Sequence, residues 1–289
     1  KIKYYIIVNI SIGTVQWGLK YGISNRNGIP SDNELKAILN IAKSNKISLL
    51  DTASQYGNAE NRIGEFASKD FEFITKISLL GDTVEEKINK SFINLKRNSI
   101  YGCLFHNIDE LIENKNNWKK LLKFKQNGKI EKIGYSLYEP KELIDLLNLD
   151  IIPDIIQIPF SLLDRKFEPY FDILKNKGVE IHIRSIFLQG LYFKNINRLS
   201  KSLLELSKPL LELQLICKKY SISILELALG YVAQDLRIDF GTVGIETPNQ
   251  LKEIIIASKT KLSKGIIEEV RKIEIKEKKL LNPSYWKKK

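Results

Sequence analysis

Methionine is missing from all 289 residues, and the chain begins at Lys1. An encoded chain of this length ordinarily contains several, so the initiator at least is expected to lie outside it. Cysteine is scarce: Cys103 and Cys217 cannot form a disulfide framework, which sets aside disulfide-stapled scaffolds and fits a reducing cytoplasm. Neither sits in a CxxC, and only two histidines are present. No cluster has zinc-ligand spacing, and a metal-dependent hydrolase is disfavoured. No apolar run approaches the ~18 residues needed to cross a bilayer. The opening "KIKYYIIVNISIGTV" places lysines ahead of an apolar run, as a signal peptide does, but lacks a small-x-small cleavage site and reads as a strand. GxGxxG is absent after the first strand, which argues against an open dinucleotide-binding sheet. No Pro/Gly/Ser-rich linker, charge block or internal repeat divides the chain.

Charge is plentiful and one-sided. Lys and Arg total 46 against 34 Asp and Glu, a formal net charge of +12. Such a balance invites a nucleic-acid or membrane reading. However, 38 of the 46 basic residues are lysines scattered along the chain, which reads as solvated faces. Clustered Lys/Arg with interleaved aromatics, the pattern of a single-strand binder, is absent, and only the tail "YWKKK" hints at it. Neither nucleic acid nor membrane is expected as a partner.

Short apolar strands alternate with longer amphipathic segments. Ser31 and Glu34 in "PSDNELKAILNIAKSNK" form a capping box ahead of an apolar face of Leu35, Ile38, Leu39 and Ala42. Strands are expected at "SIGTVQ" (11–16), "ISLLDT", "FEFITK" (71–76), "YGCLFHN" (101–107), "GKIEKIGYS" (128–136), "DIIQIPF" (154–160), "GVEIHIRS" (178–185) and "DFGTVGI" (239–245). Helices are expected between them, near 83–98, 109–126, 140–148, 167–177, 203–220 and 223–235, with two more at the end. Adjacent parallel strands need crossovers, and helices supply them. Eight such units describe an α/β protein with a (β/α)8 barrel. We expect a single domain over 1–289, with C-terminal helices and a basic tail over 276–289.

In such a barrel the carboxyl ends of the strands face the active site. Asp51 ends the second strand, Lys76 the third and His106 the fourth, with Tyr56 in the loop after the second. These four form a working set. An ammonium beside a phenol stabilises the phenolate and lowers the tyrosine pKa. Asp51 would keep Lys76 charged and oriented. Tyr56 could then donate a proton to a substrate oxygen as hydride reaches the carbonyl carbon, while His106 orients that oxygen.

With these residues in view, the chain resembles an aldo/keto reductase along nearly its whole length. "LLDTASQYGNAENRIGEF" is similar to the family's Asp-to-Tyr signature, "FEFITK" to its lysine strand and "YGCLFHN" to its histidine strand. The resemblance implies that Asp51, Tyr56, Lys76 and His106 are the catalytic tetrad and that the cofactor is a nicotinamide dinucleotide. It further implies cofactor contacts from Gly13 and Thr14 in the first loop and from Ser136 and Gln157 toward the carboxamide. Ser185, Leu188 and Gln189 correspond to the loop along the pyrophosphate. Arg184 stands where many members place an aromatic ring against the nicotinamide; an arginine plane can stack, and its charge should favour the reduced cofactor.

"TVGIETPNQLKEI" (242–254) resembles the final cofactor segment, which implicates Gly244, Glu246 and Gln250. Family habit points to NADP(H), slightly favoured, with Lys252 near enough in sequence to reach in. Glu246 suits a ribose hydroxyl and keeps NAD(H) open. Trp17 is a candidate pocket wall, and Tyr285 and Trp286 candidates at the mouth. "IQIPFSLLDRKF" and "IFLQG" are similar to a bacterial branch met among surface-carbohydrate genes, which implies a sugar-like carbonyl among the aldehydes and ketones to consider. The alternative is a cofactor-binding barrel acting as a sensor or regulatory subunit, kept open by Arg184 and Glu246. The sequence leaves oligomeric state open.

Overall fold

The computed structural model describes residues 9–286. The apolar run at 1–8 and the last three lysines of the tail lie outside the described residues. Eight parallel strands close into one barrel in sequence order. They are β1 (Asn9–Gly13), β2 (Leu49–Asp51), β3 (Glu72–Ile77), β4 (Ile100–Phe105), β5 (Ile130–Ser136), β6 (Ile155–Pro159), β7 (Glu180–Arg184) and β8 (Phe240–Gly244). β8 closes on β1 in a register running from Asn9↔Phe240 to Gly13↔Gly244. The expected (β/α)8 architecture is thus the observed one.

Local chemistry explains where helices begin. Capping boxes open the helices Asp32–Ser44, Val84–Leu95, Ile224–Ala233 and Pro248–Ala257, from Ser31/Glu34, Thr83/Glu86, Ser223/Glu226 and Thr247/Gln250. Each satisfies N–H groups that a helix start leaves without intrahelical partners. Among the described residues no helix is long and apolar enough to cross a membrane.

Several boundaries differ from the sequence reading. β1 stops at Gly13 rather than continuing to 16, because Val15–Gly18 winds into a helical turn. The expected helix at 109–126 is two, Asp109–Ile112 and Asn116–Gln126, with the Asn114 side chain accepting from the Asn116 N–H at 3.0 Å in the break. The segment before Ser207–Tyr220 is a 3-10 stretch, Lys201–Leu206.

The core has two parts. The larger lies between barrel and helices and takes Leu50, Phe73, Cys103, Phe105 and Ile156. The smaller is formed by Leu49, Ile74, Leu104 and Ile155, with Tyr101 and Phe240 against it. Side chains alternate along a strand, so these alternating residues fill the barrel interior.

Candidate active site

The same alternation builds the site. Two residues beyond interior Leu49, Ile74, Leu104 and Ile155 stand Asp51, Lys76, His106 and Gln157. Each shares its predecessor's face and lies nearer the carboxyl mouth. β3 runs one residue past Lys76 and β4 one residue short of His106. The His106 N–H donates to the Ile77 carbonyl at 2.8 Å, so it stays fixed to the sheet.

Lys76 and Asp51 are sealed, at 1% and 5% side-chain exposure. Lys76 Nζ donates to Asp51 Oδ1 at 2.6 Å and to the Thr52 carbonyl at 3.2 Å. The other carboxylate oxygen accepts from Gln157 Nε2 at 2.8 Å. Tyr56 lies above this pair, with Nζ 5.3 Å from its ring centre. His106 meets the Tyr56 ring edge to face, centres 6.0 Å apart at 83°. The structure therefore brings all four expected tetrad residues together.

Electrostatics corrects one expectation. Burial pushes the Tyr56 hydroxyl above the ordinary tyrosine range, and Asp51 adds to that; Arg184 is the cation that opposes it. Lys76, the cation expected to lower the phenol, is itself paired with Asp51 at 2.6 Å. Burial also draws Lys76 below its ordinary range, with Asp51 resisting. For His106, burial leads and the charges of Lys76 and Arg184 assist, lowering it to about 3. The imidazole is neutral in ordinary buffers, and its Nδ1 is buried without a partner.

A cleft of about 390 Å³ opens over the tetrad, a size suited to a small ligand or cofactor. Gly13 and Thr14 line one end of β1; Ser136 and Gln157, paired across β5 and β6, line the opposite wall. Arg184, Ser185 and Gln189 follow β7, and Gly244, Glu246 and Gln250 follow β8. Glu246 is tied to the helix start: its N–H donates to Gln250 Oε1 at 2.8 Å and its carboxylate accepts from Gln250 Nε2 at 3.1 Å.

Five candidates fall elsewhere. Trp17 is fully buried and its indole N–H donates to the Ile245 carbonyl at 2.9 Å, so it is core and not a pocket wall. Leu188 is fully buried in the core, which leaves only its backbone for the loop. Trp286 donates to the Leu280 carbonyl at 2.8 Å, and neither it nor Tyr285 lines the cleft. Lys252 is exposed and outside the cleft, whereas its neighbour Glu253 lines it.

Other lining residues escaped the sequence reading. Gln16 lies across Gly244, where a Cβ would sit 2.3 Å from its Nε2, and its Oε1 is buried without a partner. Tyr138, two residues after Ser136, carries the Arg184 guanidinium over its ring at 4.1 Å. Tyr21 accepts from Gln189 Nε2 at 2.6 Å, and the Ile23 N–H donates to the Gln189 carbonyl at 3.2 Å. The loop after the first helical turn thereby bridges to the loop after β7. A local signal for that approach is Gly22 in "YGIS", whose φ is +95°.

These features suit a dinucleotide. Gly13 and Gly244 pair across β1 and β8 without side chains, and the Gln16 amide lies over Gly244. The buried amide oxygens of Gln16 and Gln157 have no partner within the protein, and such groups are costly unless something donates to them. Among the described residues no cluster of metal-ligating groups occurs.

The aldo/keto reductase family model matches residues 9–275. Over 171 residues, 54% of this chain, the sequence is 25% identical to an uncharacterized oxidoreductase of Schizosaccharomyces pombe. The chain spans 62% of that curated relative's length. Among solved structures, the fold is similar to an aldo-keto reductase of Bacillus halodurans in its holo form, with TM-score 0.71, 21% identity and 92% of each chain covered. It is also similar to an aldo-keto reductase enzyme from a Medee basin deep-sea metagenome library, with TM-score 0.68, 19% identity, and 95% of this chain and 94% of that one covered.

Proposed function

The chain belongs to the aldo/keto reductase family of oxidoreductases, and from that premise we propose that it is a nicotinamide-dependent carbonyl reductase acting on a small aldehyde, ketone or sugar-like carbonyl. The observation that carries the reading is the sealed Asp51–Lys76 pair at 2.6 Å beneath Tyr56, with His106 against the same ring. One barrel carries the whole constellation, so a single domain suffices.

Members of the family generally use nicotinamide cofactors, and such a group, when bound, supplies the hydride. Ser136 and Gln157 would hold its carboxamide end, Gln157 through its unpartnered Oε1. Ser185 and Gln189 would border the pyrophosphate, and Glu246 with Gln250 the ribose beyond it. Tyr56, protonated because it is buried, holds the proton for the substrate oxygen at its hydroxyl. His106, neutral, donates a hydrogen bond to that oxygen and orients it. Asp51 and Lys76 keep the floor beneath Tyr56 rigid and neutral overall, and Gln157 braces the aspartate at 2.8 Å.

Within this reading NAD(H) is the better fit, against the family habit that favoured NADP(H). Two carboxylates, Glu246 and Glu253, line the cleft near the Pro248–Ala257 helix start, and Lys252 faces away. A 2′-phosphate would meet like charge there, whereas a ribose hydroxyl can donate to a carboxylate.

Fluorescence titration with NADH and NADPH, followed by a panel of aldehydes and keto-sugars, tests both parts. NADH binding with turnover is expected. Tight binding without turnover across a broad panel would point to a sensor instead, and binding of neither cofactor would remove the proposal. In Glu246→Gln/Glu253→Gln, the preference for NADH over NADPH should fall by about tenfold. An unchanged preference would show that neither carboxylate faces the ribose.

A further inference from the structure

One cation at the barrel mouth acts on Tyr56 and His106 through its charge. Arg184 ends β7 beside Tyr56, His106 and Ser136 in the cleft wall. Its edge is engaged: Nη2 donates to the Leu137 carbonyl at 2.8 Å, and Nη1 to Ser185 Oγ at 3.3 Å. One face of the guanidinium lies on the Tyr138 ring, 4.1 Å from its centre. The surface left for the cleft is the opposite face of a charged plane. A plane suits a flat ring, and two of the guanidinium's N–H donors are already turned to Leu137 and Ser185.

Nothing cancels this charge. Among the described residues, Arg184 belongs to no ion pair, and its guanidinium contacts are those just given. Lys76, by contrast, is neutralised by Asp51 at 2.6 Å, and His106 is uncharged. The other carboxylates of the cleft, Glu246 and Glu253, follow β8 toward the far end. The reacting end therefore carries one net positive charge.

We propose that Arg184 biases the site toward reduced cofactor: its uncompensated plane, held by Tyr138, Leu137 and Ser185, weakens binding of the oxidised nicotinamide ring, which is itself cationic, and spares the neutral reduced ring. The inference rests on the carbonyl-reductase reading and gives it a direction. Oxidised cofactor dissociates readily after each turnover, and the reverse oxidation starts from a weakly held complex. Like charges in contact at the edge of a protein shift affinity by about one order of magnitude or more.

The test is calorimetric titration of the full chain with oxidised and reduced NAD, for wild type, Arg184→Gln, Arg184→Lys and Tyr138→Leu. Arg184→Gln should tighten oxidised NAD by about tenfold, with NADH changed by less than about threefold. Arg184→Lys, which keeps the charge, should keep most of the wild-type ratio of dissociation constants, and Tyr138→Leu should fall between. Retained NADH binding shows that a variant is folded. An unchanged ratio in Arg184→Gln, or equal weakening of both forms, overturns the inference. So does an unchanged ratio accompanied by a raised KM for oxo acids alone, which would make Arg184 a substrate-anion site. Failure of wild type to bind either form would instead remove the reductase reading itself.

Discussion

The proposed proton donor, Tyr56, must hold its proton at working pH, and burial favours this by raising its pKa above the ordinary tyrosine range. His106 sits at the other extreme, lowered to about 3 and so neutral wherever the protein is handled. With one group titrating well below neutrality and the other well above, kcat/KM for carbonyl reduction should be flat between about pH 5 and 9. A bell centred near neutrality would assign the chemistry to other groups. Tyr56→Phe should cut turnover by about two to four orders of magnitude and leave NADH affinity nearly unchanged. Parallel measurement of kcat and the NADH dissociation constant separates the two. Retention of most turnover would end the assignment of Tyr56 as donor.

The loop carrying Tyr56 is set by an unusually close contact between elements. The Val15–Gly18 turn presses on the start of the Ala59–Phe66 helix, and a Cβ on Gly18 would lie 1.8 Å from the Tyr56 carbonyl and 2.6 Å from the Ala59 nitrogen. Backbone cannot yield as a side chain can. Gly18→Ala should therefore cost about 3 kcal/mol or more and lower kcat, read by urea denaturation and steady-state kinetics. A neutral result would mean that the two segments separate without consequence. Gly244 plays a matching part beside the end of β1, because its missing side chain lets the Gln16 amide lie across it. "QWG" and "YGN" are both visible in the sequence. Their contact is not, since it depends on how the turn after β1 packs against the helix after β2.

Seen whole, the barrel has two polar ends around an apolar waist of Leu49, Ile74, Leu104 and Ile155. The mouth holds the tetrad. The floor holds Glu180, which accepts from the Tyr101 hydroxyl at 2.7 Å, pairs with Lys132 and lies 3.3 Å from His182 Nε2. Burial alone would raise the Glu180 pKa, but hydrogen bonds from His182, Lys132 and Tyr101 win and hold it down from 4.5 to about 2. A carboxyl depressed on folding stabilises the native state above its unfolded pKa and loses that contribution as pH falls through the folded one. Glu180→Gln should thus destabilise by about 1–3 kcal/mol at neutral pH, with the difference from wild type fading as pH falls from 4.5 toward about 2. Denaturant melts at several pH values check this; a penalty constant across that window would show that the charge is not what matters.

Strand and helix order were legible in the chain because hydrophobic period and capping chemistry are local: Ser31 and Glu34 mark a helix start whatever surrounds them. The Asp51, Tyr56, Lys76 and His106 set was legible for a related reason, since a barrel puts strand ends at one mouth and the alternation of side chains chooses the face. Other features depended on contacts between distant segments. Trp17 reads as a pocket wall until the Ile245 carbonyl claims its indole. Lys252 and Glu253 are neighbours in sequence, and only the rotation of their helix against β8 puts the carboxylate in the cleft and the ammonium outside. The Tyr56 pKa follows the same logic: a lysine in the sequence promises a lowered phenol, but burial and the neutralising Asp51 are properties of packing. Period and capping act over a few residues, whereas charge balance and exposure are sums over everything the folded chain brings within reach.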